Sequence, residues 1–239
     1  MSMTEKIQQM LQELEKGGVK FLPWIGEKYE DGIYYNEKGE LRYGDNKGEK
    51  LLIVSEGIHM DETYKDAFNC VGKEKLSYLI YKIIERFIDP QSNFHYGINH
   101  RSFIQFERAL AGTVQLRLSK RAELWNHVAF YTYIQEPLDS AKLIPTEEQY
   151  AKSYDSFKDV IATYKPDVII LWGNRLYNNL CPKEQESQYI LIDDYYIEMQ
   201  ILSINNLNVK LLPIWHPSYI GFRHDDWHKI IVEAIKNGN

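Results

Sequence analysis

Leu51-Leu52-Ile53-Val54 runs directly into Ser55-Glu56-Gly57-Ile58-His59. An unbroken apolar run that closes on the β-branched pair Ile53-Val54 is the pattern of a strand covered on both faces, where no solvent side imposes alternation. Ser55, Glu56 and Gly57 then stop the run, so the strand delivers a polar turn to one edge of a sheet. Three further segments read the same way: Val128 to Ile134, Val168 to Trp172 breaking at Gly173, and Val209 to Ile214 running into Trp215-His216-Pro217-Ser218.

Helical periodicity fills the gaps between these runs. Leu76, Leu79, Ile80, Ile83, Ile84 and Phe87 recur at helical spacing over 74–88, and a second helix is expected around Phe103, Phe106 and Leu110. Thr146 and Gln149 form a capping-box pair ahead of Tyr150, Tyr154, Phe157, Ile161 and Tyr164, a face that ends at Pro166. A short helix holds Leu176 and Leu180, and Trp227, Ile230, Ile231, Ala234 and Ile235 form the last one. Strands alternating with helices predict right-handed crossovers, hence an α/β fold: a three-layer α/β/α sandwich with a central, mainly parallel four-stranded sheet. In such sheets ligands bind beyond the carboxyl ends of the strands. That rule selects the loops at 55–61, 131–136, 173–175 and 216–223.

The first 50 residues read as an accessory. Ile7, Met10, Leu11 and Leu14 lie on one face of an amphipathic helix stopped by Gly17-Gly18. Asn36-Glu37-Lys38-Gly39 is a turn between aromatic-rich segments, which predicts a hairpin arm. With no internal repeat or linker, residues 1–239 are expected to form one domain.

Composition narrows the function. With 28 basic and 34 acidic residues the net charge is −6, which argues against a broad polyphosphate-binding surface, so any nucleic-acid contact must be local. Cys70 and Cys181 are too few for a disulfide framework or a four-cysteine metal site. No apolar stretch of about 18 residues exists and the N-terminus lacks the apolar core of a signal peptide, so a cytoplasmic, membrane-free monomer is expected.

Two strand-end loops carry the chemistry. Glu56 and His59 lie three positions apart on a glycine-containing turn and can position water or stabilise a developing cation. His216-Pro217-Ser218 offers an imidazole that can donate to a carbonyl oxygen gaining negative charge. Each motif alone is short, and surface solvation explains either.

Taken together and in order, Leu51-Leu52-Ile53-Val54-Ser55-Glu56-Gly57, then Lys165-Pro166-Asp167-Val168-Ile169-Ile170-Leu171-Trp172-Gly173, then His216-Pro217-Ser218, the chain resembles the uracil-DNA glycosylase superfamily over roughly residues 51–222. The resemblance implies flipping of a damaged or deaminated base out of DNA and hydrolysis of its N-glycosidic bond, with no metal or organic cofactor. It places Glu56 at the acidic position of several branches, although His59 can be aligned with another branch's histidine, and it gives His216 the contact to the base carbonyl. Phe68, Tyr131, Thr132 and His59 would surround the base. Ser218, Tyr219, Ile220, Phe222 and Arg223 would meet the DNA.

Two departures from the family pattern matter. Thr132 stands where an asparagine normally reads the uracil edge, and a hydroxyl cannot make that bidentate contact. The four cysteines of the iron-sulfur branches are lacking. Thr132 and the acidic net charge favour a second reading, a weakly active or inactive module that binds a nucleobase or nucleic acid. A third, a metal hydrolase using Glu56, His59 and His216, requires those three to meet at ligand distances.

Overall fold

A computed structural model describes residues 3–44, 48–59, 77–89, 101–140, 143–180, 186–192 and 195–236. The chain begins with helix α1 (Met3–Lys16), which ends where Gly18 turns to φ 101°, and continues through β1 (Trp24–Ile25), β2 (Ile33–Tyr35), β3 (Leu41–Tyr43) and β4 (Leu51–Ser55). Helices α2 (Leu79–Ile88), α3 (Arg101–Ala111) and α4 (Leu118–Asn126) precede β5 (Val128–Thr132). Then follow α5 (Glu147–Tyr164), β6 (Val168–Trp172), α6 (Asn174–Asn179), β7 (Glu186–Ile192), β8 (Tyr195–Ile204), β9 (Leu207–Ile214) and α7 (His224–Lys236).

The four apolar runs are the four central strands, adjacent in the order β5-β4-β6-β9 and parallel throughout. The run at 128–134 is shorter than expected, stopping at Thr132. The sheet itself is wider than four strands. β1 adds antiparallel to β5 at one edge, and β8 and β7 add antiparallel beyond β9 at the other, making seven. The segments of β7 and β8 show no continuous apolar run because one side meets water, with Tyr189 67% and Tyr196 73% exposed.

Pleating divides the central strands between two apolar clusters. Leu51, Ile53, Phe130, Ile170 and Leu212 join residues of α2, α3, α4 and α7, whereas Leu52, Val54, Tyr131, Ile169 and Leu211 join residues of α1 and α5. α5 starts as its sequence dictates: Thr146 Oγ1 accepts from the Gln149 N–H at 3.2 Å while Gln149 Oε1 accepts from the Thr146 N–H at 2.9 Å. It ends at Lys165 in the left-handed conformation.

The hairpin of β2 and β3 turns on Asn36, whose Oδ1 accepts from the N–H groups of Lys38 and Glu40, and on Gly39 at φ 75°. It is docked rather than projecting. Ile33 is wholly buried, the Tyr35 hydroxyl donates to the Leu110 carbonyl, and Trp24 Nε1 donates to the Trp125 carbonyl at 3.0 Å. Among the basic residues of 101–121, Arg121 is not a solvated charge: it forks onto Glu107 at 2.8 and 2.7 Å and lies over the Phe87 ring. Among the described residues no helix is long and apolar enough to cross a membrane.

Candidate active-site cleft

The strand order creates the site. From β4 the chain passes to β5 on one side, while β6 lies on the other, so the loops leaving neighbouring strands β4 and β6 diverge and leave a crevice at their carboxyl ends. β4 delivers Glu56 there, β6 delivers Gly173 to Arg175, and β9 delivers His216. Gly173 takes φ 104°, a conformation that favours glycine and turns the chain sharply into α6.

Glu56 is almost buried, at 8% exposure, and its carboxylate is held on several sides. Arg175 Nε donates to Oε1 at 2.8 Å and to Oε2 at 3.0 Å, Arg175 Nη2 donates to Oε2, and the Tyr150 hydroxyl donates to Oε1. Burial pushes the carboxyl pKa up, but hydrogen bonds from Arg175 and Tyr150 and the Arg175 charge outweigh it, and the net direction is down. Glu56 is therefore an ionised, oriented carboxylate at neutral pH.

His216 has the opposite character. Its side chain reaches solvent, yet crowding by protein atoms desolvates the ring and lowers its pKa below 6.5, an effect the nearby Glu56 charge only partly opposes. Nδ1 accepts from the Ser218 backbone N–H at 3.2 Å and pairs with Ser218 Oγ at 2.8 Å. A backbone N–H can only donate, so Nδ1 carries the lone pair and the single proton of the neutral ring sits on Nε2. The loop thus presents a neutral N–H donor.

Two adjoining hollows, each about 450 Å³, share Glu56, Trp172, Arg175 and His216 in their walls. The first adds Asn174, Trp215 and Tyr219; the second adds Ser55, His59, Ser102, Phe103 and Phe130. Both volumes lie within the usual range of small-ligand sites. Two buried polar atoms here, Trp172 Nε1 and His59 Nδ1, have no hydrogen-bond partner among the described residues.

The expected residues separate into those at the cleft and those away from it. Glu56, His59, His216, Ser218 and Tyr219 line it. Ile220 is 89% exposed beside it, and Arg223 pairs with Asp226 at 3.2 Å. Tyr131 does not face the cleft, because the pleat directs it into the opposite cluster, where its ring stacks 6.3 Å from Phe157. Phe222 does not project outward to meet DNA: it is 7% exposed and stacks at 11° on Trp227 in the core. Thr132 is wholly buried in register with the cleft residue Ser55, and neither hollow includes it among its lining residues. Its Oγ1 has no partner among the described residues. Phe68 lies outside the described residues. Among the described residues no three His, Cys, Asp or Glu side chains are grouped to hold a metal ion, so Glu56, His59 and His216 do not meet as ligands.

Arg175 is a cleft residue that the sequence did not single out. It falls in a loop chosen by the strand-end rule, but it lies 119 positions from Glu56 and no spacing links the two. Compared with known proteins, the sequence matches no protein-family model and no curated protein.

Proposed function

We propose that this chain is a DNA base-excision glycosylase-like protein that hydrolyses the N-glycosidic bond of a flipped, damaged or deaminated base. The observation that carries the reading is the pairing, in one cleft, of the ionised Glu56 carboxylate with the neutral Nε2–H donor of His216. As the bond from C1′ to the base nitrogen breaks, its electron pair stays on the base. His216 Nε2–H donates to the base carbonyl that gains this charge, and Glu56 stabilises the cationic sugar. Water then bonds to C1′ and loses its proton to solvent. The reading includes a three-layer α/β/α sandwich, supported by the two clusters on the sheet faces, and a cytoplasmic monomer that uses no metal or organic cofactor and touches DNA through the strand-end cleft and the 218–223 loop.

One observation favours a second reading. The fork of Arg175 on Glu56 neutralises much of the carboxylate's field, which suits a base-binding module with slow or no chemistry. The test is a single-turnover assay on oligonucleotides carrying uracil, hypoxanthine, xanthine or an alkylated base, scored by abasic sites. Abasic sites with one class, abolished in His216→Ala, support the enzyme. Binding with no abasic site in any class supports the module.

A further inference from the structure

The fork of Arg175 is only half used. Glu56 occupies the edge formed by Nε and one hydrogen of Nη2. A guanidinium carries five N–H donors in fixed geometry, so the end formed by Nη1 and the second Nη2 hydrogen remains. Among the described residues the hydrogen bonds of Arg175 run from Nε and Nη2 to Glu56 and none runs from Nη1, the Arg175 side chain is 45% exposed, and it lies in the wall of both hollows. Glu56 and Tyr150 fix this end in place. In the first hollow the neighbouring walls are aromatic: Trp172, Trp215 and Tyr219, with Trp215 45% and Tyr219 55% exposed and their rings edge to face at 5.5 Å.

We propose that the first hollow is a 6-oxopurine subsite, in which the free end of Arg175 donates to the adjacent O6 and N7 of a base lying against Trp215 and Tyr219. The proposal rests on the reading that this cleft receives a nucleobase, and it names the class of base. Electrostatics decides between this ligand and a phosphate. Glu56 leaves Arg175 its geometry but cancels most of its net charge, and the same carboxylate repels an anion bound beyond it. A neutral edge with two adjacent acceptors uses what remains, and O6 with N7 is the standard match for an arginine fork. Adenine presents a donor at position 6 and is disfavoured. Uracil lacks the N7 acceptor. A hollow of about 450 Å³ accommodates the two rings of a purine.

The experiment uses the full chain and four single-stranded oligonucleotides identical except for one central base: hypoxanthine, 7-deazahypoxanthine, adenine or uracil. Each has a 2′-fluoro sugar at that position to resist cleavage. Phosphate contacts are the same in all four, so differences report the base. Hypoxanthine is expected to bind about tenfold or more tighter than its 7-deaza analogue and than adenine or uracil, the scale of one bidentate contact. Arg175→Lys keeps the charge and loses the fork, and it should bring the four strands to within about twofold. Equal binding of hypoxanthine and 7-deazahypoxanthine by the wild type overturns the proposal, as does a preference that survives Arg175→Lys. A phosphate site would appear as four strands held alike, with or without the substitution. If Arg175→Lys fails to fold by circular dichroism, the wild-type comparison of the two hypoxanthines decides alone. A hypoxanthine preference without abasic sites removes the enzyme reading and keeps this one; abasic sites without the preference do the reverse.

Discussion

His216 Nδ1 accepts from the Ser218 N–H only while its ring is neutral, so its lowered pKa sets the pH range over which this loop arrangement holds. The folded value lies below the ordinary 6.5, so the unfolded chain takes up the proton first as pH falls. The stability this group contributes is complete above about pH 6.5 and is lost as pH drops toward the folded value. Urea titrations at pH 7.5 and 5.5 should show wild type losing more stability on acidification than His216→Gln, and equal losses would place the ring in a water-like setting. Glu56, also lowered, has the same sign in a lower window, its contribution disappearing as pH falls below about 4.5. Thr132 gives a different residue-scale test. Its hydroxyl is buried without a partner among the described residues, so Thr132→Val removes an unsatisfied group with little change of shape. The variant is expected to gain about 1 kcal/mol in urea unfolding. A loss of stability would mean that Oγ1 is satisfied in solution.

Between elements, the contact of α4 with α3 is electrostatic at its centre. Glu107 on α3 is 1% exposed and depends on Arg121 of α4, whose side chain is 18% exposed. Arg121→Ala leaves that carboxylate buried and unpaired, and the expected cost is about 3 kcal/mol by thermal or urea unfolding. A change below about 1 kcal/mol, the range of surface pairs, would show that Glu107 finds another partner. This helix also shows why some elements were legible and others not. Strands β4, β5 and β6 are nearly continuous apolar runs and β9 is one interrupted by Asn208 and Lys210, a signal that needs no partner to be seen, and the Thr146 cap of α5 is local over three residues. Helix α4, Leu-Ser-Lys-Arg-Ala-Glu-Leu-Trp-Asn, buries only Leu124 and Trp125 and carries its charges where tertiary pairing resolves them, so periodicity does not reveal it. The same distinction holds at the cleft. Glu56 and His216 could be chosen because each directly follows a strand, whereas the Arg175 and Tyr150 contacts join residues 119 and 94 positions from Glu56. Tyr131 turns on parity: a shift of one residue along β5 exchanges the cleft face for the opposite cluster, and period-two alternation does not show which face meets the site.

On the scale of the whole molecule, the proposed function requires an acidic chain with net charge −6 to hold DNA through few contacts. The described arginines at or beside it are Arg175, Arg223 and Arg101, the last next to the cleft residue Ser102. Arg175 and Arg223 are already paired with Glu56 and Asp226, which weakens their attraction for phosphate. Each phosphate neutralised contributes about −0.7 to the slope of log K against log salt for single strands and about −0.9 for duplex. Three contacts from these described arginines therefore give a slope of about −2 for a single strand and about −3 for duplex. Binding titrations of a hypoxanthine-containing oligonucleotide between 50 and 200 mM salt are expected to lose no more than about 20-fold on a single strand. The residual affinity should be set by the base and the aromatic walls, so replacing the central base should change binding by an amount comparable to this change of salt on a strand of fixed sequence. A slope near −6, with little dependence on the central base, would mean that a broad cationic surface holds the DNA and that the strand-end cleft is not its main contact.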